Sequence, residues 1–134
     1  MDDMTLEQAK AAVAAALAKA QELGLKMNIA VVDAGANLKA FARMDGAWLG
    51  RIDISINKAY TARAFDIATR DLAEHSQSGG QFFGIHASNR GRIMIFAGGI
   101  PLLRRHRRER RLGRTGSRRR RGGRRGILTS PDGK

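Results

Sequence analysis

Between Leu6 and Leu23 the apolar residues fall at Leu6, Ala9, Val13, Ala16, Leu17, Ala20 and Leu23. Steps of three and four put them on one stripe of a helix. Thr5 and Gln8 stand at capping-box spacing ahead of it, and Gly24 is a natural stop. The pattern then changes period. "KMNIAVVD" is a short apolar run with β-branched residues. "NLKAFARMD" alternates Leu38, Ala40, Ala42 and Met44 against Lys39, Phe41, Arg43 and Asp45. Two strands joined through "AGAN" predict a hairpin over 27–45, with Gly35 at the turn position needing positive φ.

Helical spacing returns in "DISINKAYTARAFDIA". Ile52, Ile56, Ala59 and Ala62 fall on one side, and Asp53, Asn57 and Lys58 mostly on another. This predicts a helix over 51–67, and a shorter third helix covers "TRDLAEHS". "SQSGGQFFGIHASNRG" reads as loop with one apolar island at Phe82–Ile85, and "GRIMIFAGGIP" as a strand ending at a Gly-Gly turn. The order is α-β-β-α-α-loop-β, an α+β arrangement. A sheet left there is incomplete at the C-terminus: it wants a further strand and a covering layer.

Charge divides the chain at the same place. Of its 134 residues, the first 101 carry 11 Lys/Arg against 10 Asp/Glu, whereas 102–134 carry 14 against 2. The first part is the composition of an ordinary soluble domain; the basic average comes from the tail. Cysteine is absent, which excludes disulfides and thiolate metal sites. No apolar run approaches the roughly 20 residues of a membrane span. "MDDMTLEQ" is too acidic and polar for a Sec-type signal peptide, so no membrane attachment and a cytoplasmic location are expected.

Three stretches, "AVVDAGANLKAFARMDGAWLGRIDISINKAYTARAF", "FGIHASNRGRI" and "IFAGGIPL", carry a resemblance to the GlcG/HbpS family. That family includes haem-binding proteins and the C-terminal domain of PduO-type cobalamin-related proteins. The resemblance covers about residues 5–102. It implies a profilin-like sandwich, an antiparallel sheet flanked by helices, assembled into homo-oligomers. It also implies a tetrapyrrole ligand: haem, or in some branches a corrinoid, with haem degradation or redox sensing as the roles proposed in the family.

Several side chains have a binding reading beside a plainer one. Asp33 and Asn37 flank the hairpin turn, where they either bond nearby backbone N–H groups or stand at a pocket mouth. Arg43 can hold a haem propionate through its fork, or pair at the surface with Asp45 or Asp53. Met44 reads as core rather than axial ligand. Lys58 and Thr61, on adjacent turns of the second helix, either bind a carboxylate ligand or belong to a solvated face. Of His75, His86 and His106, no two have the i, i+4 spacing of a helical metal site. With Cys absent, a neutral imidazole is the expected iron ligand, and His86 beside "FFGI" is the preferred candidate. His75 reads as solvent-exposed and His106 falls in the tail. The glycine-rich "GGQFFG" and "AGGIP" lack the phosphate-loop pattern, and Gly98 and Gly99 suit a bulge or a close backbone approach. No Ser-His-Asp order or carboxylate pair supports a hydrolase. A small-acid enzyme on the same scaffold, with Arg43 and Lys58 holding the carboxylate, is the second reading.

After "GGIPL" the family pattern continues with a glycine-rich strand and a helix, whereas this chain runs "RRHRRERRLGRTGSRRRRGGRR". Codons for arginine in GC-rich DNA, displaced by one base, encode Ala, Val, Gly or Asp. The favoured reading divides the chain into a domain at 1–102 and an Arg-rich tail at 103–134 that is out of frame from about 102–104. As translated, that tail is expected to be disordered. It would attract polyanions through counterion release, but it holds no aromatic residue on which bases could stack. Nucleic-acid contact is therefore expected to be non-specific. The coding DNA tests this directly. Read one base out after Pro101, it should yield a glycine-rich strand followed by an Ala/Val-rich helix, and early stop codons in that frame would refute the shift.

Overall fold

The computed structural model describes residues 3–103 and 124–129. Thr5 and Gln8 cap each other as their spacing predicts: each backbone N–H donates to the other's side-chain oxygen at 3.1 Å. They open α1, Leu6–Glu22, which the chain leaves through Gly24 at φ +68°. Ala9, Val13 and Ala20 form the buried stripe, with Ala12, Ala16 and Leu17 partly covered. The ends of the predicted stripe, Leu6 and Leu23, are about half exposed.

The hairpin follows as β1, Asn28–Val32, and β2, Leu38–Arg43, paired antiparallel from Asn28↔Arg43. The turn differs from expectation. Gly35 is not the positive-φ residue; Ala36 is, at +61°. Asp33 Oδ1 accepts from the N–H groups of Gly35 (3.0 Å) and Asn37 (2.9 Å). A Cβ on Gly35 would stand 2.8 Å from Asn37 Nδ2, so the glycine is there for close approach within the turn.

All five residues of β1 are buried. Ile29 and Val31 pack with α1, Ala40, Ala42 and Met44 on one face. Ala30 and Val32 pack with Phe41, Ile56 and Ala59 on the other, where α2, Arg51–Phe65, lies. The sheet is thus flanked on both sides, the layered arrangement that buries both faces of a central strand. Helix α2 ends at Asp66 in the left-handed region, its carboxylate 2.8 Å from Arg63, and α3 occupies Thr69–Ser76 as expected.

Two features depart from the sequence reading. The strand expected over "GRIMIFAGGIP" begins only at its end, as β3, Gly99–Leu103. Upstream, Ile93 is fully buried, and the Met94 N–H donates to Thr61 Oγ1 (3.0 Å) instead of to a neighbouring strand. A helix hydroxyl satisfies the backbone there, so the apolar run needs no ladder. Second, the further strand that the sheet wants comes from the Arg-rich tail. Arg124–Thr129 forms β4, antiparallel to β1 on one side and to β3 on the other, giving the order β2-β1-β4-β3. These six residues come from the segment for which the sequence predicts disorder. Residues 104–123, with His106, and 130–134 lie outside the described residues.

Helix α2 presses on β3 at Gly99. A Cβ there would stand 2.7 Å from the Lys58 carbonyl oxygen and 2.8 Å from Thr69 Cγ2. Gly99→Ala is therefore expected to destabilise the protein by roughly 1–3 kcal/mol through overpacking. Gly50→Ala, with no atom within 4 Å of the new methyl, should stay within about 0.5 kcal/mol of wild type. Urea denaturation of the two variants compares them directly.

Candidate functional site

The α2 face that the sequence assigns partly to solvent is buried. Lys58 is 1% exposed, and Ser55 and Thr61 beside it are fully covered. Two glycine-flanked segments make this possible: residues 92–98 cross the helix, and β3 follows at close range. Lys58 Nζ lies 4.2 Å from the centroid of the Phe96 ring, a cation–π contact with a ring still half exposed. Burial first, and then the positive charge of Arg51 two turns earlier on the helix, together lower the Lys58 ammonium from its ordinary 10.5 to about 8. The site thus holds an amine close to losing its proton near neutrality.

Thr61 is the organising hydroxyl of this layer. It donates within the helix to Asn57 O (2.8 Å), accepts from Met94 N–H, and lies 3.2 Å from Arg92 O. Next to it, Arg92 stacks over the Tyr60 ring with Cζ 3.7 Å from the centroid, and Asn89 Nδ2 donates to the Tyr60 hydroxyl at 3.1 Å. The chain arrives at this contact through Asn89, Arg90 and Gly91, three consecutive residues at positive φ. Neither Tyr60 nor Arg92 is singled out by the sequence pattern. The only signal is that "NKAYTA" puts an aromatic next to Lys58 and Thr61.

The other sequence candidates do not converge on Lys58. Asp33 and Asn37 lie in the hairpin turn, with Asp33 closing it. Arg43 stands at the opposite end of the hairpin, exposed, with Nη1 3.4 Å from Ala47 O and, among the described residues, no ion pair to Asp45 or Asp53. Met44 packs against the α1 core as expected. His86 is exposed in the 77–98 segment with its ring edge-on to Phe83, centroids 6.3 Å apart. His75 is exposed at the end of α3, edge-on to Phe82. Among the described residues no three His, Asp or Glu side chains gather to hold a metal, and no helix is long and apolar enough to cross a membrane.

An α1/sheet/α2 sandwich with this hairpin and this "NKAYTA" helix is the architecture of the resemblance drawn above. Residues 4–114 match the model of the family described as haem degrading protein HbpS-like, and the chain belongs to that family. It is 39% identical over 100 residues to an uncharacterised 15.0 kDa protein from the dhaT-dhaS intergenic region of Citrobacter freundii, covering 75% of this chain and 70% of that one. It is 33% identical over 90 residues to the corrinoid adenosyltransferase PduO of the same organism, 67% of this chain but only 27% of PduO. Among solved structures, Klebsiella pneumoniae ORFY superposes with a TM-score of 0.80 at 29% identity, over 98% of this chain and 80% of ORFY. The PduOC–haem complex superposes at 0.72 and 26% identity, over 90% and 77%.

The Lys58 environment has a pH signature. The folded state releases this proton near 8 and the unfolded chain near 10.5. Between those values the unfolded state binds more protons, so the Lys58 contribution to stability rises with pH across that window. Below about 8 the full cost of holding the charge is present. Denaturant midpoints from pH 7 to 10.5 should therefore rise more steeply in wild type than in Lys58→Met; parallel profiles would show that Lys58 titrates as an ordinary lysine.

Proposed function

We propose that this chain binds haem on the side of the sheet covered by α2 and residues 77–98. The observation that carries the reading is the PduOC complex with haem, which shares the fold over 90% of this chain at 26% identity. The chemistry of the residues fits such a ligand. His86 offers an exposed imidazole with Phe83, 63% exposed, edge-on beside it, as iron ligand and apolar surround. Arg43 is the cation proposed for a propionate, and Lys58, covered by Phe96, would reach a carboxylate only if that ring moved aside. Thr61 is a positioning residue, its hydroxyl already engaged with the backbone. Asp33 and Asn37 have no part in this proposal, because they belong to the hairpin turn. Bound haem would supply a redox-active iron, which haem degradation and redox sensing would each require.

The ligand is proposed to lie in an open site rather than in either cavity between the described residues. The groove between α1 and β2 holds about 340 Å³ and the cavity beside the start of α2 about 230 Å³. These lie at or below the lower end of the roughly 300–1,000 Å³ that encloses drug-sized ligands, and a tetrapyrrole is larger. The ligand would lie on a face, with a second copy of the chain covering the exposed Phe83, Phe96 and Ile100. Homo-oligomerisation is thus part of the proposal.

Titration of the full chain with haemin is the test. A Soret band should grow and saturate, His86→Ala should shift the band and weaken binding at least about tenfold, and Arg43→Ala should weaken it more than His75→Ala. Identical titrations for wild type and His86→Ala would remove His86 from the iron. Saturation by a corrinoid and not by haemin would move the function to the other ligand, the one the PduO likeness favours.

A further inference from the structure

At the open end of the hairpin, two cations and the chain's single tryptophan surround a cavity of about 230 Å³. Its wall is formed by Gly24, Leu25, Lys26, Gly46, Ala47, Trp48 and Arg51, and among the described residues none that lines it is acidic. Trp48 is 68% exposed, which is unusual for so large an apolar group. Yet its backbone is held from two sides: the Trp48 carbonyl accepts from Asn28 Nδ2 at 3.1 Å and from the Arg51 N–H at 3.2 Å. Asn28 is itself 1% exposed at the start of β1, so the indole stands on a fixed mount. The Arg51 guanidinium lies over that indole, Cζ 4.8 Å from the ring centroid.

Lys26 is placed just as definitely. It reaches over Gly46, which takes φ +79°, and a Cβ at Gly46 would stand 2.9 Å from Nζ. The absence of a side chain at Gly46 lets the ammonium settle against the backbone at the rim. Lys26 and Arg51 come from the two chain segments that enclose the space, one before β1 and one at the start of α2. A recess with one cation from each of two segments and an aromatic wall is complementary to an anion carrying charge at both ends. Arginine takes a carboxylate through a two-pronged fork and lysine takes one as a point charge. The volume falls below the roughly 300 Å³ where drug-sized ligands begin, which restricts the occupant to a few carbon atoms.

We propose that this cavity binds a small aliphatic dicarboxylate, one carboxylate on Arg51 and the other on Lys26, with its methylene groups against Trp48. Arg43, assigned above to a haem propionate, contacts Ala47 of this wall, so the two readings are told apart by His86→Ala, which tests only the haem reading, and Lys26→Met, which tests only this one.

Trp48 supplies the readout, because the sequence holds one tryptophan and so gives one indole N–H signal. The full chain, ¹⁵N-labelled, is titrated with succinate at constant ionic strength. The indole signal should move and saturate with a midpoint on the order of millimolar, the range of a site worth about 4 kcal/mol. Lys26→Met and Arg51→Gln should each raise that midpoint at least about tenfold, as expected when a charged hydrogen-bond partner is lost. Lys26 is exposed, so Lys26→Met keeps its fold and decides the matter even if Arg51→Gln, at the start of a helix, does not. Three results would overturn the proposal: a shift reproduced by sodium chloride alone, saturation by inorganic phosphate but not succinate, or a Lys26→Met midpoint equal to wild type.

Discussion

A strand buried on both faces still has two edges of backbone N–H and C=O groups, and in an apolar interior every one needs a partner. β1 is that strand here. Its alternate side chains satisfy α1 on one face and α2 on the other, which fixes where both helices lie. Its first edge is closed by the next segment of chain, β2. Its second edge cannot be closed by anything nearby in sequence, because the chain has by then passed to the α2 face. Whatever follows Pro101 must return a strand between β1 and β3, and in this chain "RRGILT" takes that place. Seen this way, the arginine-rich segment is bounded by a structural demand at its far end whatever its origin.

The same geometry gives the α2 face its chemistry. β3 approaches the helix so closely that Gly99 leaves no room for a methyl group, and residues 92–98 are pinned to Thr61. This double covering is what dries the space around Lys58 and brings its ammonium down to about 8. A lysine on an ordinary helix surface would keep its proton. Because the covering ring of Phe96 is half exposed, the amine sits one aromatic layer below the surface on which the haem is proposed to lie.

Elements set by local rules are legible in the sequence. The capping box at Thr5 and Gln8, the alanine stripe of α1, the alternation of β2 and the bounds of α3 all follow from spacing within a few residues. The failures share a different cause. Lys58 reads as polar and therefore outward, yet residues more than thirty positions away cover it. "GRIMIF" reads as a strand because its apolar residues are buried, but the partner that satisfies its backbone is a threonine on a helix. The positive φ at Ala36 in place of Gly35 depends on how Asp33 folds back over the turn. "GILT" near the end is a plain β-favouring run, masked by the arginines around it. The Lys26, Trp48 and Arg51 grouping is split by the whole hairpin, and a lone tryptophan was its one mark.

The position of β4 also sets an order of events. Ile29 pairs with Thr129, a hundred residues further along. During synthesis the hairpin and α1 can form early, since their contacts are local, but the second edge of β1 stays open until the last strand has left the ribosome. Long-range strand pairing is slow because a large loop must close before any of its bonds form. For that interval the growing chain presents an apolar strand with an unmatched edge, which is the kind of surface that chaperones hold and neighbouring nascent chains adhere to. A fold whose central strand is completed last carries its greatest risk of misassembly while it is being made, rather than after it is finished.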